Sequence, residues 1–550
     1  MHQRSQRFVR VTAALAAFAL LSNFAASTVP VDAGAAPSTA ASGVPSDIRA
    51  ILDKPRYKNG VWGLRVLDGD RVLLDLNSQR LFYIGSVRKI FSVGQLLNAV
   101  GPDHTYDTPV YRSGALDGNG VLHGNLIVVA SADLTMGGRK NPDGTIAVSD
   151  WDHNEADGLG NAILTKPNPL AGYATLARAV RAAGIKRVTG NVVIDDRLFQ
   201  PFFFRGQFYV RPVFVNDDVV DVSIVPGGTP GSPANLTTRP ISAALRVVNR
   251  LRVGAPKTKD TLKIDPELPA CIGKPGCTAT ISGALPSDYK PPLTGQPALV
   301  QTVRIVQPAN YARSVFIELL RAAGVTVAAP VAAQNPVALL PPKRSYQAAD
   351  KVAELTGMRY GQDAKFVLKI SYNIGADTSL VLLGVKNGAN SMDSALAFER
   401  KNLAARWGIA SDQYHFVDGS GGGETTARDI AVTKMLDELA KSPASQAFVD
   451  ALPILGVDGS LGFVKDFQSD PTLAGAAGNV RAKTGTYVGP SATGSMELKA
   501  QALGGYITTK RGHHLTFQLV VNNIPIEKIL DLIGVFQDQG AIAAMLWRDY

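Results

Sequence analysis

The sequence predicts an α/β (α+β) fold in which a sheet flanked by helices is interrupted by large β-rich inserted domains. Three observations support this prediction. Helical periodicity occurs near both ends of the 550-residue chain, and strand-like alternation occurs in the same regions. Residues 104–350 consist mainly of short Val, Ile and Leu runs separated by Gly, Pro, Asn and Asp. Because this block is too long for a loop, we expect residues 36–103 and 351–550 to form one discontinuous domain, and residues 104–350 to form one inserted domain or two nested ones.

The first 35 residues have the pattern of an export signal. Three arginines among the first ten residues precede an apolar stretch over residues 11–21, and small residues follow up to Ala35. The apolar stretch is shorter than the roughly 20 residues of a membrane-spanning helix, which favours cleavage over retention as an anchor. We expect cleavage between about Ala25 and Ala36 and an exported protein that acts in the periplasm or at the extracytoplasmic cell wall.

The elements that follow are predicted from their periodicity. Residues 61–66 and 71–76 flank an Asp-Gly-Asp turn and predict a hairpin. The next run predicts a helix that begins near Ser86, because apolar residues recur at i, i+3, i+7 and i+10 from Ile90, and Gly101-Pro102 ends it. Within the inserted block the predicted strands are residues 126–130, 187–195, 219–225, 244–253 and 300–306, and the predicted helices are residues 173–183 and 312–323.

The last third of the chain returns to the first pattern. Helical periodicity runs from about residue 352 to 405, and Thr426 to Asp429 have the form of a capping box that begins a helix ending near residue 440. Residues 480–483, 504–509 and 515–522 alternate as strands. Residues 527–546 predict a terminal helix that covers the sheet rather than lying on a membrane.

Charge and cysteine usage limit the classes of partner. The formal net charge is +10, but no run of five or six like charges marks a nucleic-acid-binding patch. A basic surface also permits peripheral association with an anionic cell envelope. Cys271 and Cys277 bracket a Pro/Gly turn, which predicts a local disulfide in an oxidising compartment. Two cysteines do not form a zinc site, so we predict no metal and no cofactor.

Ser86 and Lys89 are the first candidates for chemistry. They lie one turn apart at the start of the first predicted helix, and a lysine there can activate a serine hydroxyl. The pKa of that lysine must then fall well below its ordinary value of about 10.4, through burial or a second cation. The same SxxK pattern at Ser287 to Lys290 is flanked by prolines that disfavour a helix, so we interpret Ser287 as a loop residue.

Two distant motifs make the first pair specific. Ser371-Tyr372-Asn373 is the only SxN of the chain, and Lys483-Thr484-Gly485 is its only KTG. The order SxxK, SxN and KTG is the signature of penicillin-binding proteins and class A β-lactamases.

Five further stretches, at residues 100–103, 216–240, 417–421, 452–460 and 481–486, extend this similarity. With them the chain resembles the low-molecular-mass penicillin-binding proteins of the D-Ala-D-Ala carboxypeptidase/endopeptidase family, peptidase family S13, over nearly the whole mature chain. The resemblance implies a transpeptidase-like catalytic domain formed by residues 36–103 and 351–550. It also implies a serine carboxypeptidase, with possible endopeptidase action, that cleaves peptidoglycan stem peptides and is inhibited covalently by β-lactams. A β-lactamase and a catalytically weak wall-binding or sensing protein are the alternatives.

The resemblance implies a role for each motif residue. Ser86 attacks the carbonyl between two D-alanines, and Lys89 takes its proton. Ser371 relays a proton to the leaving D-alanine, and Asn373 binds the substrate peptide. Lys483 supplies a second cation that also attracts the terminal carboxylate of the substrate. The residues implied in holding that carboxylate are Thr484, Gly485 and Thr486, and the backbone N–H groups of Ser86 and Thr486 would form the oxyanion hole.

The chain also departs from the family pattern. Asp377 stands where the family tends to have glutamate, Gly422-Gly423-Glu424 replaces Leu-Ser-Arg, and residues 490–501 are an apparent extra segment. These departures concern the rim of the site and the preference for substrate side chains rather than acylation. We interpret the preceding Asp-Gly-Ser at residues 418–420 as a turn beside the site rather than as a second nucleophile.

Overall fold

The computed structural model describes residues 43–154, 156–491 and 493–550, so the predicted export signal lies outside the described residues. The chain forms two compact units. The first unit comprises the described residues up to Asp103 together with Phe204–Gln207 and Ala364–Tyr550, and the second comprises His104–Phe203 and Phe208–Asp363. The second unit extends to Asp363 because the strand Lys351–Leu355 pairs with Thr108–Leu116, a strand of the same unit.

The first unit is built on an antiparallel sheet that joins the two ends of the chain. Its strands lie in the order Arg71–Leu76, Val61–Asp68, His514–Asn522, Met496–Thr508 and Val480–Pro490, with Ile524–Pro525 paired to Met496–Thr508. The predicted N-terminal hairpin and the three late strands are therefore confirmed. After the KTG motif, residues 488–490 pair with residues 496–498, so both flanks of the apparent extra segment belong to paired strands of this sheet.

Helices and short strands complete the first unit. The helix that follows Ser86 packs against the helix that begins at Asn373 and against the helix that begins at Asp429, which also contacts the sheet. Its helices are Ser46–Leu52, Lys89–Val100, Asn373–Lys386, Met392–Trp407, Asp429–Ala440, Ser445–Ala451 and Ile529–Asp549. Its 3₁₀ turns are Pro55–Tyr57, Gly85–Arg88, Ser411–Gln413, Gly459–Leu461, Asp466–Ser469 and Ala474–Ala476, and its small second sheet contains Tyr414–His415, Thr426–Arg428 and Leu81–Tyr83.

The second unit is rich in short strands, as predicted. Its largest sheet has the order Thr326–Val327, Arg187–Val188, Val121–Val129, Thr108–Leu116 and Lys351–Leu355, with Val192–Asp195 beside Val121–Val129. The smaller sheets contain Asn235–Arg239, Val219–Val225 and Leu299–Arg304; Arg246–Asn249, Thr278–Ser282 and Lys263–Asp265; and Arg252–Gly254 and Ala284–Pro286. Its helices are Ala171–Ala182 and Pro308–Ala322, and its 3₁₀ turns are Asp157–Leu159, Asn216–Asp218, Val337–Leu339 and Ala348–Asp350. The strands Phe202–Phe204 and Phe208–Val210 form a further pair that contains the boundary of the two units at Phe204. The helix Tyr360–Lys369 contains the boundary between the units.

Each unit has its own apolar core. In the first unit, buried side chains such as Leu519 and Phe517 of the sheet pack with residues of the terminal helix, including Ile542. In the second unit, Val128 and Phe316 belong to a separate cluster. Burial of this apolar surface provides the main stabilisation of both units.

Four local predictions are wrong, each because tertiary pairing overrides a local pattern. The helical pattern predicted from about residue 352 begins only at Tyr360, because Lys351–Leu355 is a strand paired with Thr108–Leu116. The predicted capping box at Thr426 is the strand Thr426–Arg428, which pairs with Leu81–Tyr83, and the helix begins at Asp429. The predicted strand 187–195 is interrupted at residues 189–191, whose backbone groups bond to residues 122–126 in an irregular pattern. The predicted strand 244–253 is two strands, which pair in parallel with different partners, Thr278–Ser282 and Ala284–Pro286.

The terminal helix Ile529–Asp549 is long and apolar enough to cross a membrane, by length and composition alone. More than half of its most apolar stretch is buried, and it packs against the strand Met496–Thr508. The side-chain amide of Gln539 donates a hydrogen bond to the carbonyl of Gln501 at 2.9 Å, which joins this helix to the sheet. These contacts agree with the prediction of a helix that covers the sheet.

Candidate active site

Ser86 and Lys89 lie at the junction of two helical segments. Ser86 is in the 3₁₀ turn Gly85–Arg88, and Lys89 is the first residue of the helix Lys89–Val100, which we call the serine helix. The Nζ atom of Lys89 lies 2.6 Å from the Oγ atom of Ser86. Ser86 is partly exposed, whereas Lys89 is fully buried. The pair therefore combines a hydroxyl open to a substrate with an amine held away from bulk water.

The SxN motif lies beside this pair. Lys89 Nζ donates to Asn373 Oδ1 at 2.7 Å and lies 3.3 Å from Ser371 Oγ. Asn373 begins the helix Asn373–Lys386, and Ser371 lies just before it with a φ of 66°. Since left-handed backbone is rare for a residue other than glycine, the tight turn at Ser371 is a strained conformation that turns its hydroxyl toward both motifs.

Lys483 of the KTG motif completes the group. It is fully buried on the strand Val480–Pro490, which we call the KTG strand. Its Nζ donates to Ser371 Oγ at 2.9 Å and to the carbonyl of Thr484 at 2.8 Å. The hydroxyl of Ser371 therefore lies between two lysine amines, those of Lys89 and Lys483. This arrangement suits a hydroxyl that passes protons.

Two glycines allow the KTG strand to touch the turn that carries Ser86. A Cβ atom at Gly485 would lie 2.0 Å from the carbonyl oxygen of Ile84, and one at Gly85 would lie 2.8 Å from the backbone nitrogen of Thr486. Gly85 also has a φ of 47°, a backbone conformation that glycine adopts without strain. The two segments are therefore in backbone contact, with Gly85 beside the backbone nitrogen of Thr486.

The threonines of the KTG strand have polar partners that the sequence did not identify. The hydroxyl of Thr484 lies 2.7 Å from Ser460 Oγ, and the hydroxyl of Thr486 donates to Gln501 Oε1 at 2.9 Å. Ser460 lies in the stretch 452–460 used for the family resemblance, but nothing in that pattern assigned it a contact. Gln501 is on the neighbouring strand, and its partner follows only from the register of the sheet.

The Asp-Gly-Ser stretch is a turn that contacts the candidate base. The carboxylate of Asp418 accepts hydrogen bonds from the backbone N–H groups of Ser420 at 3.0 Å and Gly421 at 2.7 Å. The carbonyl of Ser420 accepts a hydrogen bond from Lys89 Nζ at 2.9 Å. The hydroxyl of Ser420 is occupied by Asp418 Oδ2 and by Arg205, each at 3.1 Å. Ser420 thus contributes its carbonyl to the site, a contact that the sequence did not predict.

The aspartate that replaces the usual glutamate is buried beneath this turn. Asp377 Oδ1 accepts a hydrogen bond from the N–H group of Gly419 at 2.9 Å. Burial and the neighbouring Asp418 raise the pKa of Asp377 to about 8, although Arg205 and Lys89 act in the opposite direction. Near neutral pH, Asp377 is therefore mainly protonated, and it supports the turn through its bond to Gly419.

The remaining sequence candidates lie in the second unit. Cys271 and Cys277 are joined by a disulfide bond. Ser287 lies in a turn after the strand Ala284–Pro286, and its backbone N–H bonds to the carbonyl of Gly254. There is no helix at this position, so its hydroxyl does not share a helical face with Lys290.

One group of described residues has the composition of a metal site, also in the second unit. Ligand atoms of Asp152, His153 and Asp217 lie within 4.8 Å of one another. Arg139 already binds Asp152 through two hydrogen bonds of 2.8 and 2.9 Å and donates to Asp217 through Nε at 2.8 Å. His153 Nε2 lies 2.8 Å from Asp217 and Nδ1 lies 2.5 Å from Asp221. The guanidinium of Arg139 therefore takes the place that a metal ion would occupy, and we interpret the group as a buried cluster of ion pairs.

The fold matches solved penicillin-binding proteins. The structure of penicillin-binding protein 4 (dacB) from Haemophilus influenzae has a TM-score of 0.66 and 17% sequence identity, and the match covers 91% of this chain and 99% of that chain. A structure of the same protein complexed with a β-lactam has a TM-score of 0.64 and 19% identity, with the same coverage of both chains. At this identity the similarity establishes the fold, and it confirms the predicted fold class. A comparison with curated proteins finds no match.

A family model covers nearly all of the described sequence. The model of peptidase family S13, described as the D-Ala-D-Ala carboxypeptidase 3 family, matches residues 44–532, a range that contains every motif residue considered above. The chain therefore belongs to the D-Ala-D-Ala carboxypeptidase 3 (S13) family of peptidases.

Proposed function

We propose that this protein is a serine D-Ala-D-Ala carboxypeptidase that cleaves peptidoglycan stem peptides through an acyl-enzyme on Ser86. Endopeptidase action on cross-links would use the same intermediate. The observation that carries the proposal is the 2.6 Å contact between Ser86 Oγ and the buried amine of Lys89. Family membership supports the class of reaction, and the motif geometry supports the role of each residue.

The hydrogen bonds of Lys89 support its role as the general base. A neutral amine has two N–H groups and one lone pair. Asn373 Oδ1 and the carbonyl of Ser420 are acceptors, at 2.7 and 2.9 Å, so they take the two N–H groups. The lone pair then faces the hydroxyl of Ser86 and accepts its proton during attack. Lys89 and Lys483 are both completely buried, and both amines contact Ser371 Oγ, so an ammonium at Lys483 disfavours a second ammonium at Lys89 and favours this neutral state.

The two other motifs supply the remaining parts of the reaction. Ser86 Oγ bonds to the carbonyl carbon of the penultimate D-alanine, and Lys89 receives the proton. Ser371 passes that proton to the nitrogen of the terminal D-alanine as the peptide bond breaks, and water then hydrolyses the ester. Lys483, as an ammonium, attracts the terminal carboxylate of the substrate, with the hydroxyls of Thr484 and Thr486 beside it.

The backbone contact at the glycines supports an oxyanion hole. The N–H groups of Ser86 and Thr486 would donate to the oxygen that becomes negative in the tetrahedral intermediate. A single donor of this kind typically contributes roughly 10²- to 10³-fold to the rate. The closeness of Gly85 to the backbone nitrogen of Thr486 is the observation in favour of this assignment.

Release of D-alanine from a synthetic pentapeptide that ends in D-Ala-D-Ala tests the proposal. We expect steady turnover by the wild type and loss of at least about 10³-fold in Ser86→Ala, since the nucleophile is removed. Ser287→Ala is the matched control, because it removes the other SxxK serine, and we expect it to retain full activity.

Penicillin hydrolysis and binding, measured beside D-alanine release, separate the two alternatives. Penicillin hydrolysis much faster than D-alanine release would identify a β-lactamase. Binding of penicillin or wall peptides without turnover would identify a wall-binding or sensing protein. Either result would overturn the proposed carboxypeptidase activity.

We further propose that the protein acts outside the cytoplasmic membrane, where its substrate lies, and that its basic surface allows peripheral association with the envelope. The export pattern of the first 35 residues and the net charge of +10 support this location. Fractionation of cells that express the full chain tests it, because a cytoplasmic product of full mass would contradict export.

A further inference from the structure

A fully buried arginine lies inside the SxxK motif. Arg88 precedes Lys89, and its guanidinium forms a two-pronged ion pair with Glu399, with Nη1 to Oε1 at 2.9 Å and Nη2 to Oε2 at 2.5 Å. Gln95 of the serine helix donates to the same carboxylate at 2.9 Å. The Nε atom of Arg88 donates to the carbonyl of Asp418 at 2.9 Å. Burial of a charged pair is costly unless all of its hydrogen bonds are made, and here they bind a turn at the candidate site.

Three consecutive carbonyls of that turn bind the serine helix and the residue before it. Asp418 accepts from Arg88, Gly419 accepts from the hydroxyl of Ser92 at 2.6 Å, and Ser420 accepts from Lys89 at 2.9 Å. We call residues 418–420 the carbonyl turn. Because the turn is short and each of its carbonyls is held by one hydrogen bond, loss of the bond at Asp418 lets the turn shift and disturbs the carbonyl of Ser420, which holds the candidate base.

The shape of arginine suits this position. The centre of the Phe416 ring lies 4.0 Å from the guanidinium carbon of Arg88, so the group is bound by a carboxylate, a carbonyl and an aromatic face. Arginine offers a planar set of donors that bind a carboxylate through two bonds while Nε remains available. A lysine has one nitrogen at the end of a flexible stem and does not satisfy Glu399 and Asp418 together.

We propose that Arg88 is a positioning residue for the acylation step: held by Glu399, it fixes the carbonyl turn so that Ser420 binds one N–H group of Lys89 and the lone pair of that amine faces Ser86. This inference rests on the proposed function of Ser86 and Lys89. Arg88 itself does not touch the reacting atoms. Its effect is on the orientation of the base, and therefore on the rate of the covalent step rather than on substrate affinity.

The test measures acylation of the full chain by a fluorescent penicillin under single-turnover conditions. Titration of active sites corrects for any inactive fraction. In Arg88→Met we expect the acylation rate constant at saturating penicillin to fall by about 10- to 100-fold, since misplacement of a reacting group by about 1 Å has effects of this size. The dissociation constant of the complex before acylation should change by less than about threefold. Arg88→Lys should fall almost as far.

Three further variants keep the test decisive if Arg88→Met folds poorly. Arg88→Met with Glu399→Met removes both charges, and it should still acylate slowly because no donor reaches Asp418. Ser92→Ala removes only the neutral bond to Gly419 and should lower the same rate constant. Asp538→Asn is the matched control: it disturbs a buried carboxylate of the first unit that accepts from Tyr57 at 2.6 Å, and it should lower the melting temperature without changing the rate constant.

Each outcome decides a different claim. A wild-type acylation rate constant in Arg88→Met or in the double variant would overturn the role of Arg88 and leave the proposed function intact. An equal fall in Asp538→Asn would show that the loss follows from general destabilisation and would also overturn it. Acylation of Ser86→Ala would instead contradict the proposed function.

Discussion

Alanine at Gly485 should separate the two backbone segments on which the site depends. Its Cβ would lie 2.0 Å from the carbonyl oxygen of Ile84, whereas ordinary contact begins at 3.4 Å, so the KTG strand must move by about 1.4 Å. That strand carries Lys483, whose Nζ lies 2.9 Å from Ser371 Oγ, and the same movement stretches this contact beyond about 4 Å, too long for a hydrogen bond. We expect the acylation rate constant with penicillin to fall by about 100-fold or more.

Gly489→Ala is the control for this substitution. Gly489 lies on the same KTG strand, but a Cβ there would meet nothing closer than 3.7 Å, so we expect a wild-type rate constant. Thermal melting of both variants shows whether the chain remains folded. Acylation of folded Gly485→Ala at the wild-type rate would refute the claim that this close backbone contact builds the site.

Three further predictions concern the proton relay, the ion cluster and the disulfide. Ser371→Ala should lower D-alanine release by roughly 10²- to 10⁴-fold while the chain remains folded, and activity near that of the wild type would remove this serine from the relay. Burial opposes the charge on His153, but Asp221 and neighbouring carboxylates outweigh it and raise its pKa from 6.5 to about 10. The contribution of charged His153 to the unfolding free energy is therefore complete below pH 6.5 and is lost as the pH rises through 10. Urea unfolding from pH 6 to pH 10 should show this decline in the wild type and not in His153→Gln. Equal slopes of unfolding free energy against pH in the two proteins would contradict the assignment. Replacing Cys271 and Cys277 by serine opens a loop with a sequence separation of 6, which should lower the unfolding free energy by about 2 kcal/mol. The acylation rate constant should not change. A slower acylation would contradict a purely structural role for this disulfide.

The parts of the fold that could be predicted are those with a local pattern. The serine helix, the N-terminal hairpin and the late strands have apolar residues at helical or alternating spacing, and burial requires that spacing wherever the elements pack. The prediction at Thr426 failed because a Thr-x-x-Asp pattern suits a helix start and a short strand equally well. Pairing with Leu81–Tyr83, more than 300 residues earlier in the chain, decided between them.

The same distinction applies to the candidate site. The family prediction is confirmed, and the structure brings Ser86, Lys89, Ser371, Asn373 and Lys483 into one group. These residues could be predicted because each belongs to a short motif of side chains that is visible in the sequence. The contacts that support these residues have no comparable pattern in the sequence. A backbone carbonyl, as at Ser420, has no side-chain signature, and the partner of Arg88 lies 311 residues away on another helix.

Intact mass after treatment with penicillin tests the central claim most directly. We predict that the wild type gains the mass of one drug molecule and that Ser86→Ala gains none, because the ester forms on that hydroxyl alone. Ser287→Ala should gain one, as the wild type does. A Ser86→Ala protein that still gains one drug mass would contradict the assignment of the nucleophile and the mechanism built on it.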